Sequence, residues 1–113
     1  MTLIANRYIR ENVDKKIVFS NNTGSVFSEW VGQGDDRRYV VYSYNRSWPM
    51  YIWVPHLGWF NIDEKISVTT SKHTKLARPS GVTPTTIGRN RAIVLAQLGV
   101  LEMVNREIGR VAA

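Results

Sequence analysis

Ser71 and His73 stand two residues apart, with Asp63 and Glu64 a short way upstream. A hydroxyl, an imidazole and a carboxylate are the three groups of a nucleophilic triad. On a strand, residues i and i+2 share a face, so the spacing suits a nucleophile beside its base. The same residue types gather at turns for hydrogen bonding alone. That plainer reading is preferred here, and no enzymatic activity is expected.

A second set of residues carries charge. From Lys65 to Leu101 there is no acidic residue, whereas Lys65, Lys72, Lys75, Arg78, Arg89 and Arg91 all fall inside. Elsewhere nine bases face nine acids, so this stretch accounts for the whole formal net charge of +6. Cations clustered in this way displace counterions from phosphate chains. A charge of this size on a small domain is also within what solubility asks for. Tyr51 and Trp53, with Tyr42 or Tyr44, offer flat faces on which a base can stack for roughly 1 to 3 kcal/mol. The competing reading buries those aromatics and leaves the cations as a solvated rim. Arg46 and Trp48, with Trp30, are residue types that dominate protein interfaces, so they are candidate anchors for a protein partner.

Cofactor and metal chemistry find no support. There is no cysteine and there are two histidines, His56 and His73. Asp35-Asp36 and Asp63-Glu64 lack the alternating spacing of a calcium loop. Gly32-Gln33-Gly34 precedes acids, the wrong sign for a phosphate cradle. The first residues meet Arg7 and Arg10 too soon for a signal peptide, and the apolar run around Ala92 to Leu101 is far short of a membrane span. The expectation is a cytoplasmic protein with no membrane segment.

Elements must hold these groups in place. At 113 residues the chain has the size of one domain. Residues 1–15 show no clean period and read equally as an extended arm or a short helix. From residue 16 to 78 the pattern is that of strands. Ile17–Ser20 and Ser25–Val31 flank an Asn/Gly turn, Tyr39–Tyr44 is dense in β-branched and aromatic residues, and Met50–Val54 follows Pro49. Period-two alternation sets Met50, Ile52 and Val54 against Tyr51 and Trp53. Trp59–Ile62 and Lys65–Thr70 complete the series. Short connections imply antiparallel pairing, because parallel crossovers need a dozen or more residues. Over 83–110 the period becomes helical, with Thr83 as N-cap, Pro84 at the first position and Ile87, Val94, Leu98, Leu101, Val104 and Ile108 on one face. Gly88 and Gly99 each cost about 1 kcal/mol in a helix interior, which predicts a break at the first or a close contact at the second. The fold class expected is α+β: one antiparallel sheet of about five strands packed against one long C-terminal helix.

Tyr42-Ser43-Tyr44, Pro49, Tyr51 to Trp53, Trp59-Phe60 and the run Lys65-Ile66-Ser67-Val68-Thr69-Thr70-Ser71-Lys72-His73, ending near Arg78-Pro79, resemble a family of small phage-encoded domains. The sequence departs from that pattern at Asn45, where the family has Gly, and at Ile66, where it has Tyr. The Asn that follows the family's Trp pair is out of register here. The resemblance implies a phage origin and a compact sheet domain, and it brings no catalytic role with it.

Two partner classes follow. The first is nucleic acid, held by Lys72, His73, Lys75, Arg78, Arg89 and Arg91 with Tyr51 and Trp53. The second is an acidic host protein, gripped by the same cations with Arg46 and Trp48. A virion assembly role comes third, and a homodimer through the C-terminal helix is a further possibility.

Overall fold

The computed structural model describes residues 2–62 and 68–112; for residues 68, 69 and 109–112 the backbone alone is described. The elements in order are β1 (Thr2–Ile4), a 3-10 turn (Asn6–Tyr8), α1 (Ile9–Asp14), β2 (Phe19–Asn21) and β3 (Val26–Val31). A second 3-10 turn (Gly34–Asp36) leads to β4 (Arg38–Ser43), β5 (Pro49–Val54), β6 (Gly58–Ile62) and α2 (Val68–Ala77). β7 (Thr85–Ile87), α3 (Arg89–Leu98) and α4 (Val100–Ala112) complete the chain. The α+β class stands. The five-stranded antiparallel sheet and the single long helix do not.

The sheet has seven strands in sequence order, antiparallel from β2 to β6, with β1 added parallel to β2 and β7 parallel to β6. Each parallel addition needs a crossover, and each crossover carries a helix: β1–α1–β2 and β6–α2–β7. Four successive antiparallel pairings make β2 and β6 run the same way, and both crossovers step in the same direction across the sheet. The right-handed rule then places α1 and α2 on one face. The two helices pack together there.

Alternation along β4 fixes the rest. Tyr39 and Ser43 point toward the α1 and α2 side, Tyr39 Oη lying 2.6 Å from Ile17 O and Ser43 Oγ 2.8 Å from His73 Nδ1. Arg38 points the other way and donates from Nε to Ala96 O of α3 at 2.8 Å. Ala92 and Ala96 are buried, and their small side chains let α3 lie close on the sheet beside β5 and β6. Helices thus cover both faces, so every residue of β4 is buried.

The strand expected over residues 65–70 is not found. Residues 65–67 lie outside the described residues, and Val68 opens α2. Its inward row is Thr70, His73, Thr74 and Ala77, a spacing of three, one and three residues that is helical. That row is small or polar, so it left no hydrophobic period, while the β-branched Val68-Thr69-Thr70 imitated a strand. Thr83-Pro84 does not start a helix either. Thr85-Thr86-Ile87 are β-branched and extend along β6, with Thr86 Oγ1 donating to Asn61 Oδ1 at 2.8 Å. Gly88, in extended geometry, caps α3, and Gly99 at φ 97° divides α3 from α4. A Cβ at Gly99 would meet Asp36 Oδ1 at 2.5 Å, so the second glycine is both the break and the close contact.

Met50 is the extra residue of a bulge, because Val41 pairs with Tyr51 while Tyr42 pairs with Pro49. Pro49 sits at the first strand position, where a missing donor costs least. No described helix is long and apolar enough to cross a membrane.

Candidate nucleic-acid interface

Nine of the ten residues singled out by sequence divide into three groups, and Trp53 stands apart from them. Lys72, Lys75 and Arg78 are exposed, on α2 and just beyond its end. Their side chains make no ion pair or hydrogen bond among the described residues, so their charge faces solvent. These three are together, as expected, though on a helix and not on an exit from the sheet.

A second group is buried. Tyr51 is fully enclosed, and its hydroxyl donates to Thr74 O at 2.8 Å. Burial pushes its pKa up to about 12, with the nearby Arg78 and Arg10 pulling the other way. No base can stack on it. Trp48 is 6% exposed beneath the guanidinium of Arg89, which sits 5.0 Å from its ring centroid. It is therefore no protein anchor. His73 is 6% exposed, bound to Ser43 Oγ and flanked by the Tyr44 ring at 5.2 Å. Burial holds its pKa below the ordinary histidine value. The helical turn directs His73 to Ser43 and not to Ser71; Asp63 and Glu64 lie outside the described residues.

The third group is committed elsewhere. Arg46 forms a two-pronged pair with Glu29, at 2.8 and 3.1 Å. That guanidinium holds the Glu29 carboxyl below the usual range, against the opposing effect of burial, and Tyr42 Oη adds a bond of 2.7 Å. Arg89 donates from Nε to Ser47 O at 3.2 Å. Arg91 is ion-paired with Glu107 of α4. The expected union of Arg89 and Arg91 with the α2 cations is thus weakened, since both are already engaged.

Trp53 is half-buried, edge-on to Trp30 at 6.1 Å between centroids, and Lys16 Nζ lies 4.5 Å from its ring. Arg37 covers Trp30 in the same way at 4.5 Å. Of the aromatic face read from the sequence, Tyr51 is enclosed and Trp53 is covered by the chain's own Lys16.

The sequence alone does not mark Arg7 and Arg10 as part of this surface. Both are exposed on the turn and helix that enter the first crossover. Arg10 donates from Nη2 to Lys75 O at 2.6 Å and from Nε to Arg78 O at 3.0 Å, clamping the C-terminal end of α2. A cation there also suits the negative end of the helix dipole. The signal available was Arg7 and Arg10 three apart, beside Ile9 and Val13 four apart, one turn of an amphipathic helix. It was too short to separate from an arm.

The resulting surface carries Arg7, Arg10, Lys72, Lys75 and Arg78. Its described acids are engaged: Glu11 pairs with Lys15 at 3.1 Å, and Asp14 Oδ1 accepts Ser80 N–H at 2.8 Å. Among the described residues there is no group of three His, Asp or Glu able to hold a metal. The homodimer expectation would rest on α4, whose Leu101, Val104 and Ile108 face outward. Neither a protein family, a curated protein nor a solved structure matches this chain.

Proposed function

We propose that this chain is a non-catalytic nucleic-acid-binding protein that holds a phosphate backbone on the surface of α1 and α2. The observation that carries this reading is the freedom of Lys72, Lys75 and Arg78, which face solvent without a carboxylate partner among the described residues. Beside them Arg10 joins the two helices, so the cations are mounted on a fixed support. Long-range attraction to a polyanion needs that arrangement and no base-specific contact.

An acidic host protein, met by a phage-borne inhibitor, would use the same three cations. Its expected anchor Trp48 is buried, which removes the central aromatic contact such an interface depends on. Nucleic acid is therefore the preferred partner.

The test is binding to single- and double-stranded oligonucleotides over a range of salt. Replacing Lys72, Lys75 and Arg78 together by Gln should weaken binding and lower the slope of log K against log salt by about 2 to 3. The far-ultraviolet spectrum should not change. Absence of salt-dependent binding in the parent protein at low ionic strength rejects the reading. Nuclease-resistant capture of one stoichiometric host protein would favour the alternative.

A further inference from the structure

A cavity of about 340 Å³ opens where α2 ends, lined by Arg10, Arg78, Pro79, Ser80, Gly81, Val82 and Thr83. Its volume is at the small end of ligand-binding clefts. Its lining brings two guanidinium groups and two hydroxyls to one place, and no carboxylate lines it.

The donors are only partly used. Arg10 commits Nε and Nη2 to the carbonyls of Arg78 and Lys75, which fixes the plane of the guanidinium and leaves Nη1 unspent. Arg78 donates to nothing among the described residues. Asp14 anchors the rim by accepting Ser80 N–H. Beyond it, the amides of Gly81, Val82 and Thr83 have no acceptor among the described residues. Gly81 turns the loop at φ 68°, the left-handed geometry that glycine adopts without a steric cost.

We infer that this cavity is a subsite for a phosphomonoester, the terminal phosphate of a nucleic-acid strand. A monoester carries about −1.5 to −2 charge and three free oxygens. An internal diester carries one charge and two free oxygens, and it must leave the site in both directions along the strand. Two arginines, one held rigid, and a row of free amides match the dianion, because guanidinium groups bind such oxygens in pairs. The cavity lies beside Lys75 and Arg78, so a strand held on the α1–α2 surface can place its end there. The inference therefore rests on the proposed function for the source of the phosphate.

The experiment has two arms. In the first, one oligonucleotide is compared with a 5′-phosphate, a 3′-phosphate and a hydroxyl at both ends, by fluorescence anisotropy at fixed salt. One phosphorylated end should bind about tenfold tighter than the hydroxyl form, the effect of one good charge-assisted contact. Arg78→Gln should abolish that ratio, whereas Arg106→Gln on α4, which removes the same charge, should keep it. In the second arm, inorganic phosphate is titrated and the amide resonances of Gly81, Val82 and Thr83 are followed by NMR. They should shift saturably in the parent and not in Arg78→Gln. Nucleic acid that binds regardless of its ends, with unmoved loop amides, overturns the subsite and leaves the proposed function standing. Loop amides that respond to phosphate in a protein indifferent to nucleic acid do the reverse, and they assign the cavity to a free phosphate or another phosphomonoester.

Discussion

His73 shows how a residue type can announce one chemistry and serve another. Its Nδ1 and Ser43 Oγ form a buried bond of 2.8 Å that ties α2 to β4. Burial lowers the histidine pKa from 6.5, so the folded state prefers the neutral ring more than the unfolded chain does. The sign follows: this contribution is complete above pH 6.5 and is lost as the pH falls below it, when the unfolded chain takes up the proton first. The unfolding free energy from urea denaturation should drop between pH 7.5 and pH 5.5, by at most about 1.4 kcal/mol per pH unit from this group, and the midpoint with it. His73→Asn should lower stability at pH 7.5 and flatten the change. Glu29 titrates in a separate window. Its pKa is held below 4.5 by Arg46, so its contribution is present above that value and disappears only at lower pH. A midpoint that is unchanged from pH 7.5 to 5.5 in the parent protein contradicts the assignment of His73.

Arg10 and Gly99 play the corresponding parts between elements. Arg10→Ala removes two bonds to the end of α2 and should cost about 1 kcal/mol by urea denaturation, since the group is exposed. Arg78→Gln should leave stability unchanged, because Arg78 donates to nothing among the described residues. Gly99→Ala combines φ 97° with a Cβ contact against Asp36 and should cost about 1 to 3 kcal/mol. If Gly99→Ala matches the parent in stability, α3 and α4 are not divided as described. What the sequence made legible follows the same line. The hairpin of β2 and β3 and the strands β4, β5 and β6 each carried their own pattern, in alternation, β-branching or an Asn/Gly turn. β1 and β7 are three residues each and show no period, so the parallel edges were invisible. α2 reads as a strand in the sequence because its buried row, Thr70, His73, Thr74 and Ala77, is not hydrophobic. Of the site, the charge of Lys72, Lys75 and Arg78 was legible, because an acid-free stretch needs no fold to be noticed. The burial of Tyr51 and Trp48 was not, because it depends on which helix covers which face.

At the scale of the molecule, the sheet is a five-stranded antiparallel centre extended at each edge by a short parallel strand. β4 lies in the middle of the order and is buried along its length, whereas Thr2 and Leu3 of β1 and Thr85 and Thr86 of β7 are exposed. Local opening should therefore begin at the edges and reach the centre last. In native-state hydrogen exchange the amides of β4 and β5 should be the slowest, exchanging through global unfolding at about 5 to 15 kcal/mol. Those of β1 and β7 should exchange through smaller openings, faster by at least one power of ten. The helices that carry the cations provide the sharper test. α2 is pinned by Tyr51 Oη at Thr74 O, by His73 at Ser43 and by Arg10 at its end, so its central amides should approach the protection of β5 even though β7, which follows it, does not. The Lys72, Lys75 and Arg78 variant should reproduce this gradient residue by residue, since none of its three side chains holds the fold. Protection in α2 no greater than in β7 would mean that the cations ride on a loosely held crossover, and a fixed phosphate-binding surface would then lack its support.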